Sequence, residues 1–385
     1  MKTYDVIVIG AGASGLMAAA NAVERGRRVA ILEMGQQPAR KVMASGGGRC
    51  NFTNMAAERN RYFGQNPDFV RGALSRFGPQ DMLDWAKKHN ITPIEKAQGQ
   101  LFCAEGAEHV VKALLQTASG AELFTQCMVN NLAKEENEFV LTTERGDFKA
   151  QSVIIATGGT SFASLGVSDI GIRIAKKFGH KIIPVRPALC AIGISKFGPD
   201  LAGISVPVEI IIGKNSVRDS MLFTHFGIGG PAAYRATLYD LSEGIKINLM
   251  PDKDALEILR AAKQVSGRKT IAGILSEHIP MRVAQWVAQQ DTRRVADIKD
   301  TDLALVAQRI TQIEIDAASI LLHGMQSAEV VRGGVDTAQI SSKTMESKLC
   351  AGLFFAGEVI DVAGDLGGFN LQWAWASGHV AGQNA

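Results

Sequence analysis

The chain has 385 residues, 46% apolar and 21% charged, which predicts two or three domains and excludes a disordered protein. Its 41 basic and 38 acidic residues leave a net charge of +3 with no run of five like charges, which argues against a nucleic-acid or membrane-surface partner. Cys50, Cys103, Cys127, Cys190 and Cys350 are odd in number and none stands in C-x-x-C spacing. A disulfide framework, a structural zinc site and a closely spaced redox dithiol are therefore not expected, and reduced thiols in a cytoplasmic protein are.

Residues 4–9 (YDVIVI) read as a buried strand ending at a glycine. Ser14 to Glu24 read as a helix with Leu16, Ala19, Ala20 and Val23 on one face, and Arg28 to Leu32 as the next strand, ending at Glu33. The uncharged stretch 6–23 has the look of a signal peptide, but Asp5, three glycines and the following strand favour a βαβ unit. A glycine-rich loop SGGGRCN follows at 45–51, then helices over 68–77, 79–88 and 106–119. Short strands alternate over 121–150, and SVIIATGG (152–159) is a buried strand running into a glycine pair, followed by a helix over 170–178. The character changes near 189. Strands are expected at 205–212, 218–223 and 245–249, a helical stretch at 252–312, and strand signals again near 328–340. The chain closes with a strand in LFFAGE (353–358), the loop GDLGGFN (364–370) and an alanine-rich helix. No internal repeat is evident.

Gly10-Ala11-Gly12-Ala13-Ser14-Gly15 lies between a strand and a helix. Gly10 suits the tight turn, Gly12 lets backbone approach a pyrophosphate, and Gly15 lets the helix pack on the strand. The helix N-terminus offers unpaired N–H groups to phosphate. Glu33, 18 residues past Gly15, is placed to accept hydrogen bonds from ribose hydroxyls and to repel a 2′-phosphate. Together these predict a bound dinucleotide. FAD needs further segments for its ribityl chain and ring, and two exist: Ala156-Thr157-Gly158-Gly159, and Gly357-Glu358 followed by Asp365, Gly367, Gly368 and Asn370. Each glycine pair alone could be a plain turn; all together favour FAD over NAD. Asn370 opens a helix whose N-terminus can face the flavin pyrimidine edge. Arg40-Lys41 with Ser45-Gly46-Gly47-Gly48-Arg49-Cys50-Asn51 reads as an anion nest, or else as a mobile surface loop. Cys50 beside a cation would have a lowered pKa if exposed, but no partner cysteine is near in sequence.

The chain resembles the YhiN/BaiN-type flavoproteins, the group that includes aminoacetone-oxidase-like enzymes. The resemblance is carried by DVIVIGAGASGLMAA (5–19), RKVMASGGGRCNFTN (40–54), IIATGG (154–159), LFTHFGIGGPA (222–232), RGGV (332–335) and KTMESKLCAGLFFAGEVIDVAGDLGGFNLQWAWASG (343–378). It implies an α/β fold: a discontinuous Rossmann-like FAD-binding domain (1–188 and 346–385) with an inserted small β-barrel (189–251 and 313–345) and a helical-bundle insert (252–312). It implies AMP and pyrophosphate contacts at Gly10, Gly12, Ser14, Gly15 and Glu33. Lys41, Ser45 to Asn51 and Gly357-Glu358 would hold the pyrophosphate and ribityl chain, and Gly368, Asn370 and Leu371 the ring; Ala13, Met34, Val129, Ala156, Thr157, Gly158, Asp365, Gly367 and Phe369 are expected to bind the cofactor with them. The chain departs from the family in LFCAEG (101–106), which lacks a proline after phenylalanine, and in GTSFASLG (159–166), which lacks a Gly-x-Ser-x-Pro pattern.

His225, in Thr224-His225-Phe226 before Gly227, is the best acid/base candidate, because histidine changes charge near neutral pH. The alternative is a histidine held structurally. The active face is expected where the FAD domain meets the insert. No metal-ligand cluster stands out, and Trp373 and Trp375 read as packing. The expected function is FAD-dependent oxidation or reduction of a small organic molecule. The flavin would be reoxidised by O2 or another acceptor, or reduced by transient NAD(P)H, since no second βαβ glycine motif is present. The alternative is a flavoprotein acting in RNA modification or binding, with Arg282, Arg293 and Arg294 as a local basic patch.

Overall fold

The computed structural model describes residues 1–162 and 165–385 and divides into two compact units, Met1–Arg186 with Glu329–Ala385, and Pro187–Ala328.

The first unit is built on a seven-stranded sheet. Val6 to Ile9 are an unbroken apolar run, each at most 4% exposed, as expected for a strand covered on both faces. This strand, Lys2–Ile9, pairs in parallel with Val29–Leu32 on one side and Gly146–Ile155 on the other. Glu122–Phe124 extends the sheet beyond Val29–Leu32, and Leu353–Phe355 pairs in parallel with Gly146–Ile155. The strands Val129–Glu135 and Glu138–Thr143 add an antiparallel extension beside Gly146–Ile155. The register matters most. Ile9 lies opposite Leu32 and Ile155, and Ile155 opposite Phe355, so four parallel strands end level with one another. The glycine-bearing segments that follow them start from one edge, where open α/β sheets bind ligands.

The helices Ala13–Glu24 and Phe369–Asn384 come from opposite ends of the sequence and pack together. A Cβ on Gly378 would lie 2.4 Å from the Ser14 carbonyl oxygen, and one on Gly382 2.2 Å from that of Ala18. The two glycines, four residues apart, strip one helical stripe to bare backbone and let the helices touch. Trp373 and Trp375, 1% and 0% exposed, fix the same helix to the core. Their indole N–H groups donate to the carbonyls of Gly357 (3.1 Å) and Phe52 (2.7 Å).

The helix expected over 68–77 is shorter in the structure, a 3-10 turn Pro67–Val70 followed by Arg71–Leu74. Gly72, pressed against the Ser342 carbonyl, and the Gly78-Pro79 pair limit it. Residues 329–345, read from sequence as part of the barrel insert, lie instead with the first unit. Val330–Val335 pairs with Ile182–Ala188, and Asp361 accepts a hydrogen bond from the Gly333 N–H.

The second unit has its own core. Its sheet runs in the order Ile313–Ile315, Ile245–Asn248, Ser205–Ile212, Asn215–Thr224, Gly227–Gly229, Ile192–Gly193, Leu321–Leu322. Strict alternation in SVPVEIII turns Val206, Val208, Ile210 and Ile212 inward. Helices Ala255–Val265, Ile271–Leu275, Met281–Ala288 and Asp300–Thr311 pack their apolar faces into the same cluster. Asp254 caps the first of these helices, accepting from the Leu256 and Glu257 N–H groups.

Candidate cofactor and active site

The loop after the first strand turns at Gly10, whose φ of +104° brings it so close to Ala156 that a Cβ would sit 2.5 Å from the Ala156 carbonyl oxygen. Gly15 faces inward, with its Cβ position 1.9 Å from the Gly10 carbonyl oxygen. Gly12 is the opposite case: at the N-cap of the helix, its Cβ position meets nothing within 4 Å. The first intrahelical bond runs from Leu16 N–H to Gly12 C=O, so the N–H groups before it are left for an anion. An open, donor-lined cradle at the start of a twelve-residue helix fits a pyrophosphate.

Glu33 follows the second strand as expected. Its two carboxylate oxygens already accept from the Ala11 N–H (2.8 Å) and the Gly35 N–H (2.7 Å), which fixes the side chain across the loop mouth. The remaining lone pairs are available to ribose hydroxyls. Met34 beside it is exposed and Val129 is buried at the start of its strand.

Around the other strand ends lies a charge-assisted network. Lys41 Nζ donates to Glu358 Oε2 and to Ser161 Oγ, both at 2.9 Å. Glu358 also accepts from the N–H groups of Val331 (2.9 Å) and Gly159 (3.2 Å). Lys41, Glu358 and the ATGG segment, far apart in sequence, are thus brought together. Ser161 belongs to the same network and was missed, because a lone serine 120 residues from Lys41 carries no spacing signal. Gly158 keeps open space at its Cβ position, while the Thr157 hydroxyl is buried without a hydrogen-bond partner. Ala163 and Ser164 of the GTSFASLG segment lie outside the described residues.

The SGGGRCN loop forms a 3-10 turn over Ser45–Gly48, with Gly46 and Gly47 in the left-handed region, and Arg49 exposed beside it. Ser45 Oγ donates to the Val42 carbonyl at 2.7 Å. Asn51 opens the strand Asn51–Asn54, and its amide oxygen lies 3.2 Å from the Gly368 N–H in the orientation that satisfies both ends of the amide. That contact joins the SGGGRCN loop to GDLGGFN, two segments far apart in sequence.

Three expected roles change in detail. Cys50 is 0% exposed, not beside solvent, and burial pushes its thiol up to about 12. Cys103 lies across the strand pair from it and is also raised, to about 11, by burial first and then by its Glu105 contact. The condition for a lowered thiol pKa is not met. Asp365 is 2% exposed and paired with Arg61 Nη1 at 3.0 Å, so its carboxylate anchors the loop. Asn370 spends its side chain on the same loop: Oδ1 accepts from the Gly364 N–H (2.7 Å), and Nδ2 donates to the carbonyls of Gly364 (2.9 Å) and Asp365 (3.3 Å). What remains for a ring is backbone at the start of the helix, beside Gly367, Gly368 and half-buried Leu371, while Phe369 is buried against Tyr62.

His225 belongs to the second unit. With Phe226 it forms the two-residue turn between strands Asn215–Thr224 and Gly227–Gly229, and both are exposed. Phe226, 69% exposed, lies beside His323 with ring centroids 5.8 Å apart. The basic patch suggested by sequence is largely occupied: Arg293 forks onto Asp291 and Arg282 donates to the Asp200 carbonyl. Among the described residues no group of acids, histidines and cysteines is placed to hold a metal, and no helix is long and apolar enough to cross a membrane.

The family described as HI0933-like protein Rossmann domain matches residues 4–384. The chain is similar over its whole length to two proteins named ribosomal RNA dihydrouridine synthase. It is 37% identical to that of Escherichia coli strain K12 (100% of this chain, 98% of the relative) and 39% to that of Haemophilus influenzae (99% and 98%). It is 27% identical to the 3-dehydro-bile acid delta(4,6)-reductase of Clostridium scindens, over 98% of both chains. Among solved structures, Escherichia coli quinol fumarate reductase shares the fold, with a TM-score of 0.51 and 16% identity over 100% of this chain and 70% of that one. The chain belongs to the HI0933-like Rossmann family and is a FAD-dependent oxidoreductase.

Proposed function

We propose that the protein reduces a carbon–carbon double bond conjugated to a carbonyl, and that its substrate is the uracil ring of an RNA. The observation that carries this reading is the full-length likeness, at 37% and 39% identity, to two proteins named for making dihydrouridine. Uracil has its C5–C6 double bond conjugated to the C4 carbonyl, and dihydrouridine is that ring with both carbons hydrogenated. The Clostridium scindens relative is named for a reduction of the same type, on double bonds of a steroid-like ring. On uracil a hydride would add to C6, the carbon β to the C4 carbonyl, and a proton to C5.

FAD held here would supply the hydride once reduced by a nicotinamide donor. The chain's own residues bind and position. The Gly12 cradle and the helix N-terminus hold the pyrophosphate, and Glu33 takes the adenosine ribose. Lys41, Ser161 and Glu358 hold the ribityl chain. The backbone of Gly367 to Leu371 would hold the ring, where a helix N-terminus would favour the negative charge of the reduced state. We assign protonation or substrate orientation to His225, the exposed titratable side chain of its hairpin turn.

The test is anaerobic incubation of the FAD-loaded protein with reduced nicotinamide and ribosomal RNA lacking its modifications, followed by nucleoside mass spectrometry. A gain of two hydrogens on uridine supports the reading. Consumption of a small conjugated enone with unchanged uridine would instead favour the second reading, a small-molecule reductase like the Clostridium scindens relative. His225→Asn should then lower turnover and flatten its pH profile without loss of flavin. Parent-like turnover makes His225 structural, and lost flavin places it in cofactor binding.

A further inference from the structure

Near-neutral charge makes RNA binding a particular problem for this chain. Residues 187–328 hold 15 basic and 15 acidic side chains, so the second unit has no broad field to attract phosphate. Recognition must then come from contacts to bases.

A pocket of about 550 Å³ opens on the second unit, where helices Met281–Ala288 and Asp300–Thr311 both end. Its size is within the range that takes a nucleotide-sized ligand. Half-buried Trp286 lines it and packs against Phe197, with ring centroids 5.5 Å apart. Four glutamines, Gln285, Gln289, Gln290 and Gln312, also line it, all exposed. Each amide both donates and accepts, which suits the mixed edge of a base. The other polar lining groups are cations. Lys196 is exposed, with its Nζ donating to the Glu314 carbonyl at 2.7 Å. Arg309 donates through Nη1 to the Gln289 amide oxygen, and its Nε is buried with no hydrogen-bond partner. No carboxylate lines the pocket; Asp291, the nearby acid that feels Arg309, is held chiefly by Arg293.

We infer that this pocket binds one unpaired nucleotide of an RNA strand, with the base stacked on Trp286, its edge read by the glutamine amides and its phosphate toward Lys196 and Arg309. A fixed aromatic face, amides of both polarities and cations without acids is the set a single-stranded nucleotide requires. An apolar steroid-like molecule would find only Val287 and Ile313 beside the indole. This inference rests on the RNA reading under Proposed function and adds an anchoring site made wholly by the second unit.

The test measures anisotropy of a labelled ten-nucleotide single-stranded oligouridylate with FAD-loaded parent, Trp286→Ala, Gln285→Ala and Lys196→Gln. Trp286→Ala should weaken binding roughly five- to hundredfold. Lys196→Gln should lower the slope of log affinity against log salt by about 0.7. Flavin content should not change. Gln285 and Lys196 are exposed, so those variants decide the matter if Trp286→Ala fails to fold. If the parent makes dihydrouridine while all three variants bind RNA as it does, the pocket assignment is overturned and the functional reading stands. If the parent neither binds the oligonucleotide nor reduces uracil, the functional reading falls and takes the pocket with it.

Discussion

Gly12 and Gly15 stand three residues apart in one motif, yet the structure separates their roles, and two alanine substitutions should show it. Gly15→Ala puts a methyl 1.9 Å from the Gly10 carbonyl oxygen, with the Ala156 methyl 3.4 Å away and no flexible side chain to yield. Overpacking of this kind costs typically 1–3 kcal/mol, so the apoprotein itself should be destabilised. Gly12→Ala meets nothing within 4 Å, and φ −80°, ψ −170° is extended backbone that alanine adopts freely. Alanine is a poorer N-cap than glycine, but it also restricts the unfolded chain, by about 0.4–1 kcal/mol. Apoprotein stability should therefore change by less than about 1 kcal/mol. The same methyl, however, fills the space through which a pyrophosphate would approach the helix N–H groups. Losing one or two hydrogen bonds to a charged acceptor, at roughly 1.5–3 kcal/mol each, weakens FAD by about tenfold to ten-thousandfold or more. The assays are urea unfolding of the apoproteins by circular dichroism, and titration of each with FAD by flavin fluorescence. Gly12→Ala binding FAD within threefold of the parent would refute the cradle. An apoprotein destabilised as much as Gly15→Ala would refute the separation of roles.

Glu33→Ala should weaken FAD by about tenfold to a hundredfold through lost ribose hydrogen bonds. It should also loosen the turn, because the Ala11 and Gly35 N–H groups lose their acceptor; an unchanged titration would remove Glu33 from the site. Burial raises the Cys50 thiol from 9.0 to about 12. Its folded pKa thus lies above the unfolded one, so the contribution is fully present below about pH 9 and lost as pH rises toward about pH 12. The whole shift is on the order of 4 kcal/mol. Urea midpoints measured from about pH 8 to about pH 10.5 should fall more steeply for the parent than for Cys50→Ala, and parallel curves would show that the buried thiol is not the cause.

Much of the cofactor site was legible because dinucleotide chemistry demands glycines at fixed places after strands. The runs YDVIVI, SVIIATGG and LFFAGE each ended in such a segment, and the parallel register then brought those ends level. Legibility failed where a side chain is committed by tertiary contacts rather than by its neighbours in sequence. The exposure of Cys50 could not be read from a glycine-rich loop; its backbone takes φ +48° and its side chain is buried. Asn370 looked like a ring contact because it opens a helix, yet the turn it closes, Gly364–Asp365, lies five to six residues back and claims both ends of its amide.

The Gly378 and Gly382 pair shows why such commitments stay hidden and what they do. Within the last helix these glycines lower helix propensity and resemble defects. Their use appears only when the first helix is set against them, with Ser14 and Ala18 carbonyls in the space that side chains would need. Ser14 stands directly after the dinucleotide loop, and its hydroxyl lies 2.5 Å from the Cβ position of Gly357, one residue before Glu358. The close helix contact therefore sets the distance between the two ends of the chain that must serve one cofactor. A bulkier residue at 378 would push Gly357-Glu358 away from the Gly10–Gly15 loop while leaving every expected cofactor-contacting residue unchanged. The cofactor-facing residues name the chemistry, and a pair of glycines that need touch no cofactor holds them in register.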